Sequence, residues 1–226
     1  MRLAKPHLDV GFSTDDWAAA EAFWRHDVGL PYEEYLRIGA GVRQHRFGCH
    51  GSVVKVNHAR EPLPVEPTVL RRLRVASSSA HAPTLLRTPD GTDVELVPPG
   101  HEGVVGIEVV QGVPDADEAH RFWVDALGGE PVGADRYRVG DTIVRCVATP
   151  GLAPMVARHG VGFRYLTVQV FDVDAEHARI VGLGFGEDMA PTTLGATARI
   201  SFVRGPAGLF LEVSQRANLT GPLPTA

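Results

Sequence analysis

The sequence predicts an α+β fold built from four units in tandem, each a strand, a helix and three further strands. The first observation is a repeat: "AEAFWRHDVGL" (20–30) returns 99 residues later as "AHRFWVDALGG" (119–129), with Ala, Phe-Trp and a later Gly at the same spacing. The second is that an alternating strand pattern precedes each copy, "HLDVGFST" and "VGIEVVQG". Because an internal repeat reports architecture, it is interpreted before any other motif.

The ends of the repeated helices carry their own signals. Asp16 and Asp115 each stand seven residues before the shared Phe, where a carboxylate can accept backbone N–H groups as an N-cap. Gly29 and Gly128 stand where a helix C-terminal glycine is expected. We expect the Phe of each copy to face the sheet as a core residue, so its repetition indicates architecture and not catalysis.

A second shared pattern closes each half of the chain. "TPDGTDVELVPP" and "RGPAGLFLEVSQ" both keep Pro-x-Gly-x-x-x-Glu, but at an offset of 117, so the second half is longer by about eighteen residues. "RYLTVQVFDVDAEHARIVGLGF" indicates a strand, a cap at Asp172 and a helix, whereas "LRRLRVASSSAHAPTLLRTPDG" has the strand without a full helix between Val75 and Leu85. The predicted units span residues 7–60, 68–98, 104–150 and 163–215. We expect domains at 1–100 and 101–215, followed by a flexible tail at 216–226.

Composition and charge limit the class of protein. The chain has 226 residues, 44% of them hydrophobic and 22% charged, with a net charge of −5, which is typical of a globular protein and argues against a nucleic-acid binder. The two cysteines, Cys49 and Cys146, form no C-x-x-C pair, so a disulfide framework or thiolate zinc site is not expected. Without a signal-peptide pattern or an apolar run of about 18 residues, we expect a cytoplasmic protein with no membrane partner.

The order of these motifs resembles the vicinal-oxygen-chelate superfamily, which includes glyoxalases, bleomycin-resistance proteins and extradiol dioxygenases. The resemblance rests on "LDVGFSTDDWAAAEAFWRHDVGLP", "TPDGTDVELV", "VFDVDAEHARIVGLGF" and "GPAGLFLEVS", which follow one another over most of the chain. It implies tandem βαβββ units that form two curled mixed or antiparallel sheets, with helices on the outer face and a small-molecule site inside each sheet. We expect consecutive units to share a sheet, with the division near residues 98–104.

The resemblance also implies where metal ligands would lie. The corresponding positions are Asp9 and Lys55, Leu70 or Arg72 and Glu95, Glu108 and Arg145, and Tyr165 and Glu212. A transition metal prefers imidazole and carboxylate ligands, and both halves offer cations and no histidine, so we expect no metal. The alternative is a divalent transition metal in the first domain held by His7, Asp9 and Glu95, since residues i and i+2 share a strand face. In the second half, we expect Arg145 to lie within salt-bridge reach of Glu108 or Glu212.

The hairpin "GVRQHRFGCHGSVVKVNHAR" predicts a polar inward face. A two-residue turn at His50-Gly51 pairs Arg46 with Lys55. Two opposed cations repel unless an anion lies between them, and guanidinium groups bind carboxylates and phosphates well. The predicted ligand-binding set is Asp9, Gln44, Arg46, Lys55, Asn57, Arg72 and Glu95. His45 and His58 would then lie on the outer face as packed, hydrogen-bonded residues.

Three functions fit these patterns. The first is a lyase, isomerase or ring-cleaving dioxygenase that acts on a small oxygenated anion in the first domain, with no catalytic residue assigned. The second is a non-catalytic binding or resistance protein that has lost its metal sites. The third is a scaffold with both sites decayed. The expected partner is a small anionic organic ligand, and the oligomeric state, including a homodimer, stays open.

Overall fold

The computed structural model describes residues 1–39 and 41–224 and confirms the α+β class. Units one and two contribute β1 Asp9–Thr14, α1 Trp17–Ala22, β2 Tyr32–Gly39, β3 Val42–Cys49, β4 Ser52–His58, β5 Leu70–Ala76, β6 Thr84–Arg87 and β7 Asp93–Val97. Units three and four contribute β8 Ile107–Val113, α2 Ala116–His120, β9 Glu130–Pro131, β10 Arg136–Val139, β11 Thr142–Ala148, β12 Gly162–Gln169, α3 Val173–Gly182, β13 Gly186–Leu194, β14 Ala198–Arg204, β15 Phe210–Arg216 and α4 Ala217–Thr220. No helix lies between β5 and β6, as predicted.

The predicted helix caps are present. The carboxylate of Asp16 accepts from the backbone N–H of Ala19, and Asp115 caps α2 in the same way. Each of these two helices continues into a π-helical turn, Phe23–Asp27 and Arg121–Ala126, which the sequence did not indicate. The repeated Phe-Trp pairs begin within these turns and are buried in the main core, as expected.

The strands form two sheets, and their pairing corrects one prediction. β1 pairs antiparallel with β12, with Asp9 opposite Thr167, so units one and four share an eight-stranded sheet. β5 pairs antiparallel with β8, with Leu73 opposite Val109, so units two and three share a seven-stranded sheet. The prediction that consecutive units share a sheet is therefore wrong. The alternation of residue types along a strand shows which side chains share a face, but it does not show which strand lies beside it.

Residues 98–104 join β7 to β8 within the seven-stranded sheet and do not divide two sheets. The division into domains at residues 1–100 and 101–215 stays a prediction. Each of the two sheets contains strands from both of these ranges. In the segment predicted as a flexible tail, Ala217–Thr220 form a short helix, and residues 225–226 lie outside the described residues. No helix among residues 1–39 and 41–224 combines the length and apolar character needed to cross a membrane.

The hairpin of β3 and β4 has the predicted register. Arg46 lies opposite Lys55 and Gln44 opposite Asn57. The turn residues His50 and Gly51 both have positive φ, as a two-residue turn of this kind requires. This register places the polar residues of the hairpin on one face.

Candidate functional site

Lys55 bridges units one and four on the polar face of the eight-stranded sheet. Its side chain is 2% exposed, and its Nζ donates to Thr167 Oγ1 at 2.8 Å and to Glu212 Oε2 at 2.9 Å. Thr167 Oγ1 donates to the same Glu212 oxygen at 2.9 Å. One buried ion pair thus joins β4 to β15, between two residues that are 157 positions apart in the sequence.

Asp9 lies beside this group on β1. It accepts hydrogen bonds from Lys5 Nζ at 2.6 Å, from the backbone N–H of Val53 at 2.9 Å and from Gln169 Nε2 at 3.2 Å. Burial alone would raise the pKa of Asp9, but the ammonium groups of Lys55 and Lys5 and the hydrogen bonds from Lys5 and Gln169 hold it below its usual value. Asp9 therefore stays ionised within the sheet, and the neighbouring lysines balance its charge.

Tyr165 connects the rest of the polar hairpin to unit four. Its hydroxyl accepts from Asn57 Nδ2 at 3.1 Å and from Gln44 Nε2 at 3.3 Å, while Arg46 Nε donates to Gln44 Oε1 at 3.2 Å. Burial raises the pKa of this hydroxyl, so it stays neutral. The ring lies directly over Gly11, where any Cβ would overlap it, so glycine is required for this packing.

The predicted ligand-binding residues are divided between the two sheets. Five of them, Asp9, Gln44, Arg46, Lys55 and Asn57, share the polar face of the eight-stranded sheet and are buried. Arg72 and Glu95 lie on β5 and β7 of the other sheet, where Arg72 Nη1 donates to Glu95 Oε1 at 3.3 Å. The alternation of residues along each strand assigned all seven to a polar sheet face, but it could not show that units one and two lie in different sheets.

Arg74 has the bridging position in the seven-stranded sheet. Its Nε donates to Glu95 Oε2 at 2.6 Å, and its Nη1 donates to Glu102 Oε2 at 2.8 Å and Glu108 Oε1 at 2.9 Å. Arg136 pairs with the second oxygen of Glu108. The predicted contact of Arg145 with Glu108 or Glu212 is wrong: because Arg74 and Arg136 already occupy Glu108, Arg145 pairs with Asp135 at 3.0 Å.

A cavity of about 920 Å³ opens over this second polar face. One row of residues runs from β10 to β6, each opposite the next: Arg136, Arg145, Val110, Arg72, Asp93 and Arg87. All of them except Arg136 line the cavity. The side chains of Arg72, Arg145 and Arg87 are 36%, 42% and 69% exposed, whereas Glu95 and Glu108 are 14% and 0% exposed. The cavity therefore exposes these guanidinium groups, together with the carboxylates of Asp93 and Glu102, more than it exposes Glu95 and Glu108.

The residues do not fit the transition metal that the fold implies. Among the described residues, no group of three or more His, Cys, Asp or Glu side chains is arranged to hold a metal ion. The alternative metal set of His7, Asp9 and Glu95 is not assembled. Glu95 lies in the other sheet from Asp9, and His7 Nδ1 lies 3.7 Å from Asp141 Oδ2. In each sheet, the carboxylates that a metal would need already pair with a cation, Lys55 in one sheet and Arg74 in the other.

Sequence reasoning missed part of this floor. Arg87 of the floor was not singled out, nor was Arg136, the second partner of Glu108, although each has an apolar neighbour in "TLLR" and "RYRV". Arg145 was assigned to an ion pair in the second half and not to a row shared with Arg72. The signal needed was the pairing of units two and three, which brings these strands side by side.

The two sheets define the vicinal-oxygen-chelate class of fold. Each joins two of the four units around a polar face, although unit two has lost its helix and one strand. Residues 107–213 match the family model for the Glyoxalase/Bleomycin resistance protein/Dioxygenase superfamily. The match spans a little under half of the chain and supports the predicted resemblance to this superfamily.

Solved structures show the same fold over nearly the whole chain. Glyoxalase I from Zea mays is 12% identical with a TM-score of 0.72, and the alignment covers 92% of this chain and 92% of that chain. The cppA protein from Streptococcus pneumoniae is 9% identical with a TM-score of 0.57, covering 92% of this chain and 97% of that one. No curated protein matches by sequence. At these identities the likeness shows the fold alone.

Proposed function

We propose that the protein binds a small oxygenated anion without a metal, in the cavity over the seven-stranded sheet. The observation that carries this proposal is the row of three partly exposed guanidinium groups across the cavity floor, Arg145, Arg72 and Arg87. Arg145 pairs with Asp135, and Arg72 and Arg87 share Asp93, while Arg74 and Arg136 hold the more buried Glu95 and Glu108. Guanidinium groups present paired N–H donors that match a carboxylate or phosphate. We therefore propose that the anionic ligand, which the sequence led us to expect in the first domain, binds over units two and three.

The double substitution Arg72→Met and Arg145→Met should weaken anion binding while the fold survives. Each lost charged hydrogen bond costs about 1.5–3 kcal/mol, so the combined loss in affinity should be on the order of 100-fold or more. Isothermal titration with a panel of small carboxylates and phosphate esters measures it.

The matched control is Arg37→Met with Arg43→Met, an exposed pair on β2 and β3 outside the cavity. This control removes the same charge and should leave affinity unchanged. If no anion binds to the parent protein, or if both double variants weaken binding equally, the proposal fails.

Asp90 favours a second candidate, proton transfer on the bound anion. It lines the same cavity and has no cation partner within salt-bridge distance among the described residues. Burial, together with the neighbouring carboxylates of Asp15 and Asp16, raises its pKa to about 6, against the hydrogen bond from Thr14 that lowers it. A carboxyl that exchanges its proton near neutral pH is suited to general acid–base catalysis.

For this second candidate, the protein should exchange the α-hydrogen of a bound carboxylate for deuterium in D2O, and Asp90→Asn should abolish the exchange without abolishing binding. Proton NMR of the ligand follows the exchange. The Arg37→Met and Arg43→Met variant serves as the active control. If ligands bind but none exchanges hydrogen, the catalytic candidate is excluded and the binding function stands.

A further inference from the structure

We propose that the cavity over the seven-stranded sheet takes an amphipathic anion, a small carboxylate or phosphonate that carries an aromatic or branched aliphatic group. This inference rests on the proposed function and names the class of ligand. The anionic group lies on the row of Arg145 and Arg72. The apolar group lies beside that row, against three valines that line the same cavity, Val147, Val161 and Val65.

The floor of the cavity changes from cationic to apolar along its strands. Val147 lies two residues after Arg145 on β11, so both side chains are on the cavity face. Val110 lies within the guanidinium row itself, between Arg145 and Arg72. Since Val147 is 39% exposed, an apolar surface open to the cavity adjoins the guanidinium groups.

One wall of the cavity is formed by two linkers between the units. The linker at 59–69 carries Val65, the linker at 149–161 carries Val161, and both valines line the cavity. The linkers contact each other, because the N–H of Val161 donates to the carbonyl of Pro64 at 3.0 Å. Val65 is 88% exposed, so its side chain adds an apolar contact at the rim.

A buried guanidinium group, that of Arg164, fixes both linkers. Its Nη1 donates to the carbonyl oxygens of Glu66 at 3.0 Å and Pro67 at 3.2 Å, and its Nη2 donates to that of Ala157. A wall that is already ordered loses little conformational entropy when a ligand binds. The valines are therefore part of a preformed surface next to a few polar groups, which is typical of small-molecule sites.

The affinity of the parent protein should rise with the apolar size of the anion. Phenylacetate should bind on the order of 10-fold more tightly than acetate, and phenylphosphonate more tightly than methylphosphonate by a similar factor. The reason is that each buried methylene-sized group favours binding by up to about fourfold. Ligand-observed NMR titration measures these affinities, and their ratio within each pair is the apolar preference.

The double substitution Val65→Ser and Val147→Ser should remove most of the apolar preference and leave the affinity for acetate unchanged. The matched control is Val105→Ser with Val132→Ser, two valines outside the cavity that are 68% and 37% exposed. It should keep the parent preference. If the double variant does not fold, Val65→Ser alone, in an exposed position of a linker, should lower the preference in part.

Equal affinities of the parent protein for both members of each pair would overturn this inference and leave the proposed anion binding intact. Equal losses of preference in the valine variant and its control would also overturn it. If none of the four anions binds, the proposed function fails and this inference fails with it. The Arg72→Met and Arg145→Met variant separates the two parts of the site, because it should weaken both members of a pair by the same factor.

Discussion

Replacing Lys55 by methionine should lower the free energy of unfolding by about 3–5 kcal/mol, the cost of leaving one buried charge without its partner. Methionine is similar in length but cannot neutralise Glu212, which is buried and otherwise accepts only from Thr167 in this network. Urea unfolding at pH 7.5, followed by circular dichroism, measures the loss.

The double variant Lys55→Met with Glu212→Gln tests whether the loss comes from the unpaired charge. With both charges removed, most of the lost stability should return, since buried ion pairs contribute little beyond a neutral replacement of similar shape. A positive coupling of this kind is what a double-mutant cycle detects. If the loss in the double variant equals the sum of the losses in the two single variants, Lys55 acts through packing and not through charge.

The fold could be predicted from sequence as far as local signals extend. Capping aspartates, helix-ending glycines and the His50-Gly51 turn act within a few residues, so their positions follow from spacing. The partner of β1 depends instead on contacts between distant residues. Tyr165 packs over Gly11, and Lys55 pairs with Glu212; these contacts join unit four to unit one and are absent from any local pattern.

The same limit explains which contacts of the candidate site could be predicted from the sequence. Alternation correctly placed Lys55 and Arg46 on one face, and Arg72 and Arg74 on the polar side of their strand. Alternation could not assign the carboxylate that each cation meets. Glu108 was matched to Arg145 because both belong to unit three, but the adjacent strand β5 brings Arg74 closer. A cavity formed between units two and three is therefore a property of strand order that no single motif contains.

Stability should fall as the pH is lowered from about 6.5 toward 4, and His45 should account for up to about 3 kcal/mol of that loss. The imidazole is 7% exposed, stacks on Trp17 with ring centroids 3.5 Å apart and shares a hydrogen bond between its Nδ1 and the hydroxyl of Tyr32 at 3.1 Å. Burial, with a smaller contribution from His58, lowers its pKa to about 4.

The direction follows from proton binding in the two states. In the unfolded chain the imidazole binds a proton near pH 6.5, whereas in the folded protein it stays neutral down to about pH 4. Between these values the unfolded state binds more protons, so acid favours unfolding, and the contribution of His45 to stability is complete only above about pH 6.5. A protonated ring would also carry an N–H at Nε2, which is buried and has no hydrogen-bond partner among the described residues.

His45→Phe keeps a ring for Trp17 to stack on and removes the titrating group. We expect its free energy of unfolding to depend less on pH between 6.5 and 4 than that of the parent protein, as measured by urea unfolding at several pH values. His26→Gln, which changes an exposed histidine in the first π-helical turn, should keep the parent profile. If the parent protein and His45→Phe lose stability in parallel across this range, acid acts on other groups, and folding does not lower the pKa of His45.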